Sequence, residues 1–342
     1  MQRWLTRPLT LALSLVFALM FFSSAALAQY TPTLLDTNLA GKGKHTDPLL
    51  INAWGLAYAP GGPFWVSDEG SGWSTLYDGS GNPQSLQVIV PAANGTGTGS
   101  PTGLVYNGSN EFQIDNWPSE FMFSTLDGTI QGWSHFSPSA SLIAVNNSSS
   151  NASYTGLAVT SKLSGNMIYA TNITSGLIEM YDSSFSLVKT FTDTSLPKGA
   201  VPFGIQDIKG QLYVAFAAAN GGPNGVIDIF TEDGAFVKHL AKGSPLNQPW
   251  GIAMAPSNFG ALSNTLLVSN NTNTGTINGF DPNTGKFVGT VIGSNGKPIV
   301  INQLWGIEFG GGSSSNGQTN QLFFTAGPAN NAVGAFGYIS PK

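Results

Sequence analysis

Two kinds of side chain in this sequence could act together. Trp54, Phe203, Trp250 and Trp305 each stand directly before a glycine in a recurring opening, and Asp68, Glu69, Asn172, Asn270 and Asn271 each close the short apolar run that comes next. Aromatic faces stack on sugar rings or hold apolar ligands, while carboxylate and amide oxygens are the hard donors that Ca2+ or another divalent cation takes. The competing reading is purely structural: the rings pack, and Asp and Asn cap turns at strand ends. Nucleophilic catalysis has little support, because the chain has no cysteine and no Gly-x-Ser-x-Gly elbow. His45, His135 and His239 fall in different repeats, so no histidine-pair metal site is expected.

The elements that must position these residues are read from one stretch. Residues 248–293 contain a Pro-Trp-Gly opening, four short apolar runs and an Asp-Pro-Asn-Thr-Gly turn, the pattern of a four-stranded antiparallel sheet. The opening recurs with glycines at Gly55, Gly103, Gly156, Gly204, Gly251 and Gly306, at spacings of 48, 53, 48, 47 and 55 residues. Six copies at a period near fifty predict an all-β, six-bladed β-propeller. The blades are expected near 52–90, 101–145, 154–191, 201–240, 248–293 and 303–341. The sixth lacks a fourth strand, and residues 33–38 are expected to supply it and close the ring, which hides the sheet edges.

Within a blade the second strand runs antiparallel to the innermost first strand. The start of the first and the end of the second therefore share one face of the ring, and the aromatic and oxygen-bearing sets should surround one mouth of the central channel. Tyr77, Trp133, Tyr181, Phe230, Phe280 and Phe336 recur in the third strands, where wide rings fill the space between blades.

Composition narrows the function classes. Only 9% of the 342 residues are charged, against about 25% in ordinary domains. Arg3 and Arg7, the apolar run 9–22 and the Ala26-Leu27-Ala28 site read as a signal peptide over residues 1–28, cleaved before Gln29. The expected location is periplasmic, cell-surface or extracellular, without a stable membrane span after cleavage and with a single propeller domain over 29–342. Both arginines go with the leader, leaving eleven lysines against eighteen carboxylates, a net charge of −7. Nucleic-acid binding, which needs a basic patch, is not expected.

The runs 52–57 (Asn-Ala-Trp-Gly-Leu-Ala), 64–68 (Phe-Trp-Val-Ser-Asp) and 74–79 (Ser-Thr-Leu-Tyr-Asp-Gly), with 248–253 (Gln-Pro-Trp-Gly-Ile-Ala), resemble a family of secreted bacterial propeller proteins, some carrying a PEP-CTERM tail. The resemblance spans nearly the whole mature chain and implies no activity; the ending Tyr338-Ile-Ser-Pro-Lys342 is not such a tail. The Pro-x-Gly openings are also similar to NHL-repeat and SMP-30/lactonase propellers. That resemblance implies a channel metal held by a Glu, two Asn and an Asp, which Glu69, Asn172, Asn270 and Asp68 could imitate, although Asp68 and Glu69 share one blade. The expectation is an exported binding module for a small molecule, glycan or protein at the aromatic mouth. A divalent-metal-dependent hydrolase or lyase and a structural envelope protein are the alternatives.

Overall fold

Short alternating runs separated by Gly, Asn and Asp turns cannot bury themselves singly, and here they pair in sets of four. The computed structural model describes residues 29–162, 164–218 and 221–342; the signal peptide expected over residues 1–28 lies outside the described residues. Blade 1 comprises Ala53–Tyr58, Phe64–Asp68, Trp73–Tyr77 and Val88–Ile89. Blade 2 has Pro101–Tyr106, Phe121–Thr125, Thr129–Trp133 and Leu142–Asn146, and blade 3 has Tyr154–Val159, Ile168–Asn172, Leu177–Tyr181 and Leu187–Phe191. Blade 4 is built from Ala200–Ile208, Gln211–Ala218, Val226–Thr231 and Phe236–Lys242, and blade 5 from Pro249–Met254, Leu266–Asn270, Ile277–Phe280 and Phe287–Thr290.

Blade 6 takes Leu304–Phe309, Leu322–Ala326 and Ala335–Pro341 from the far end of the chain and its fourth strand, Tyr30–Thr37, from the near end. Tyr30 pairs with Pro341 and Thr37 with Ala335. The fold is thus the six-bladed, all-β propeller with the predicted closure. His45–Thr46 adds a short parallel edge outside the closing strand. Between the first two strands of blade 2, Gln113–Ile114 pairs with Trp117–Pro118 in a small hairpin. Among the described residues no helix is long and apolar enough to cross a membrane.

The six third-strand aromatics are all buried between neighbouring blades. Tyr77 stacks on Phe336 at 5.0 Å across the closure between blades 1 and 6. The recurring glycine has a different cause. The inner strands converge on the axis so closely that a Cβ at Gly204 would sit 2.0 Å from Trp250 O, and one at Gly55 2.3 Å from Thr102 O. Hydroxyl groups on the second strands fasten the same seams. Thr325 Oγ1 donates to Trp54 O at 2.5 Å, Ser269 Oγ to Trp305 O at 2.6 Å and Thr171 Oγ1 to Phe203 O at 3.3 Å. In blade 4 the position facing Gly204, as Thr171 faces Gly156, is Ala215, which has no hydroxyl to give.

Candidate functional site

The predicted aromatic collar assembles. Trp54, Trp250 and Trp305 are buried together, with Phe203 and Leu126 packed against them. Trp54 and Trp305 stack at 3.4 Å with an 18° interplanar angle, and Trp250 meets both edge-on. Trp250 Nε1 donates to Thr155 O and Trp305 Nε1 to Asn52 Oδ1, each at 3.1 Å. Because these faces are turned on one another, the collar closes its end of the channel. Below it the waist, ringed by the six glycines, leaves a cavity of ≈ 30 Å³, about the space of one water.

The five oxygen-bearing residues predicted beside the collar are each hydrogen-bonded to other protein groups. Asp68 is fully buried and its Oδ2 accepts from Thr75 N–H and Oγ1; burial, the largest influence, holds its carboxyl well above the usual range. Glu69 accepts from Asn52 Nδ2. Asn172 donates to Glu179, which also accepts from Tyr154 and Tyr181. Asn270 accepts from Asn247 N–H and donates to Pro245 O, and Asn271 donates to Leu304 O. None of the five hydrogen-bonds to another. The structure brings the aromatic set together and leaves the oxygen set dispersed around the ring.

The opposite mouth is open. The far ends of the inner strands flare into a funnel of ≈ 300 Å³ lined by Tyr58, Tyr106, Val159, Gln206, Asp207 and Glu308 among others. Glu308 and Gln206 also line the waist, so they stand at the neck between the two spaces. Burial pushes the Glu308 carboxyl up to about 7, partly opposed by the Phe309 N–H. Tyr58 is pushed up to about 12 by burial and then by the charge of Glu308. Asp207 is also raised, mainly by burial, although its Oδ1 accepts from Gly210 N–H. Sequence reasoning missed this mouth, yet a signal was present. Gln206-Asp207 and Glu308 interrupt inner-strand runs that are otherwise apolar, a polar intrusion that packing does not ask for.

A fully buried acid, Asp36 on the closing strand, shares the behaviour of the half-buried Glu308. Both oxygens of Asp36 lack partners, and burial, then Asp47 and Asp78, lift it to about 7 against the pull of Lys44. In the pH window between roughly 4 and 7 the folded chain therefore holds protons that the unfolded chain has released. The stability that these groups contribute is complete below about pH 4 and is lost as pH rises to 7. Thermal melts are expected to show Tm falling between pH 5 and 7.5, with a flatter profile in Asp36→Asn; a Tm that rises across this window would refute the assignment.

One mouth sealed by tryptophans and one open over a half-buried carboxyl define a six-bladed propeller with a single-ended channel. No family model matches the chain. It is 30% identical over 336 residues to the uncharacterized protein R648 of Acanthamoeba polyphaga mimivirus, an alignment covering 92% of this chain and 81% of that protein, and it belongs to the family of that protein. A second mimivirus protein, the uncharacterized L690, is 28% identical over 307 residues, covering 82% of this chain and 79% of its own length. Among solved structures, the virginiamycin B lyase from Staphylococcus aureus superposes with a TM-score of 0.51 at 12% identity, over 91% of this chain and 99% of that one. A streptogramin B lyase gives 0.50 at 12% identity, over 92% and 97%. These likenesses establish the propeller fold, and the resemblance to lactonase-like propellers holds at that level.

Proposed function

We propose that this chain is an exported binding module that takes a small ligand at the open mouth of its channel, above Glu308. The observation that carries the reading is the asymmetry of the channel: the collar rings are occupied with one another, whereas the funnel combines aromatic walls with convergent polar groups, the usual make-up of a ligand pocket. Acceptors dominate its floor, through Asp207, Glu308 and the Gln206 carbonyl, and Tyr58 and Tyr106 offer ring faces. That chemistry favours amines and polyols, with a cationic amine gaining from both the carboxylates and the rings. Export rests on the leader at residues 1–28.

The test is a thermal-shift and calorimetric screen of amines and sugar alcohols on wild type, Glu308→Gln and Tyr106→Ala. Amine affinity is expected to rise as pH passes 7 and Glu308 ionises, and to fall about tenfold in Glu308→Gln. A panel that binds wild type and Glu308→Gln equally would remove the site, and one that binds neither would favour a structural role. A second reading, a lyase or hydrolase acting at the same mouth, is favoured by Glu308 being held at about 7, where a proton-transfer group works best. The two lyases of similar fold make virginiamycin B and streptogramin B the first substrates to try; turnover abolished in Glu308→Gln would select this reading.

A further inference from the structure

We propose that the rim between blades 3 and 4 carries a divalent transition-metal site, best fitted to zinc, formed by Asp193, Asp228 and His239. It is separate from the channel and does not depend on the ligand reading. Asp193 lies in the segment leaving the last strand of blade 3, while Asp228 and His239 face each other in register on the two outer strands of blade 4. His239 Nδ1 is 2.7 Å from Asp228 Oδ1 and 3.4 Å from Asp193 Oδ2. One donor atom from each residue lies within 4.8 Å of the others, the one such group of three among the described residues.

The second observation is an unmet demand for positive charge. Asp228 is fully buried, and neither its Oδ2 nor the buried Asp193 Oδ2 has a hydrogen-bond partner. Buried carboxylate oxygens gathered round one imidazole require a proton or a cation between them. The surroundings already orient the donors for a cation. Ser195 N–H donates to Asp193 Oδ1 at 2.8 Å, which leaves Oδ2 free. Ser195 Oγ lies 3.2 Å from His239 Nε2 and can accept its N–H, which would put the Nδ1 lone pair on the side of the carboxylates. One nitrogen and two oxygens suit zinc, with the exposed side of His239 open to a water; Ca2+ asks for six to eight oxygens. The metal would tie the exit of blade 3 to the outer strands of blade 4, so its binding should be read in stability.

The chelator-treated full chain is titrated with zinc chloride and with calcium chloride by calorimetry and then melted. The expected result is one zinc per chain and a Tm rise of roughly 5 °C at a hundredfold excess over Kd. Binding should weaken at least a hundredfold in His239→Gln and Asp193→Asn and about tenfold in Ser195→Ala. His239 and Asp193 are not in the sealed core, so their variants are expected to fold, with circular dichroism as the control. No zinc uptake, stoichiometric uptake kept by His239→Gln, or calcium binding as tightly as zinc would each overturn the proposal. So would ester hydrolysis lost in Ser195→Ala without zinc uptake, which would assign Ser195, His239 and Asp228 to nucleophilic catalysis.

Discussion

Gly204→Ala is expected to remove at least about 4 kcal/mol of stability, enough to unfold many domains. The added methyl would lie 2.0 Å from Trp250 O and 2.8 Å from its carbonyl carbon, backbone atoms of the next inner strand that no rotamer change can move. Relief requires blades 4 and 5 to separate, and a closed ring passes that strain to the other seams. Gly95→Ala is the control. Its φ of +76° makes alanine strained, but nothing lies within 4 Å, so the cost should be about 1–2 kcal/mol. Urea midpoints compare the two, and a Gly204→Ala protein within 1 kcal/mol of wild type would mean that the waist is looser than described.

Trp305→Ala should cost about 3–5 kcal/mol. Trp305 is 3% exposed, stacks on Trp54, meets Trp250 edge-on and holds Asn52 Oδ1 through its indole N–H. Removing it leaves a cavity in the plug and strands the Asn52 oxygen. Trp305→Phe keeps much of the buried area and loses the hydrogen bond, for about 1–2 kcal/mol. Chemical denaturation gives both values. The series also separates the two roles considered for the collar. If Trp305→Ala proves nearly as stable as wild type but loses affinity for a ligand that Glu308→Gln still binds, the rings are a binding surface rather than a plug.

The architecture was legible because its signals are local and repeated. The Trp-Gly and Pro-x-Gly openings, the strand-length runs and the missing last strand of the sixth repeat led to blade number and closure without any long-range information. Strand direction also sufficed to bring Trp54, Phe203, Trp250 and Trp305 to one mouth. It could not say which way the indoles would turn, since stacking Trp54 on Trp305 depends on how narrow the ring is, a property of the close approach at Gly204 and its equivalents. Position at a strand end was equally uninformative about Asp68, Asn172 and Asn270, whose side chains are held by Thr75, by Glu179 and by Asn247 with Pro245. The open mouth was overlooked because Gln206 and Glu308 each occur once, and a search for repeats discards what does not repeat. Asp193 and His239 lie 46 positions apart in neighbouring blades, and only the folded ring makes them neighbours.

The closing strand has a mechanical consequence. Tyr30 lies opposite Pro341, and the ladder runs inward from there to Thr37 and Ala335, so residues 30 and 341 sit at the same end of one antiparallel pair. A load pulling these two residues apart falls on one pair of hydrogen bonds at a time and peels the strands like a zipper, instead of shearing the whole ladder at once. The ring joined through six shared seams would therefore yield to modest traction at this single point. Tyr30 adds one catch to the peeling path, because its hydroxyl donates to Phe259 O in blade 5 and must be pulled out of that blade before the disk opens.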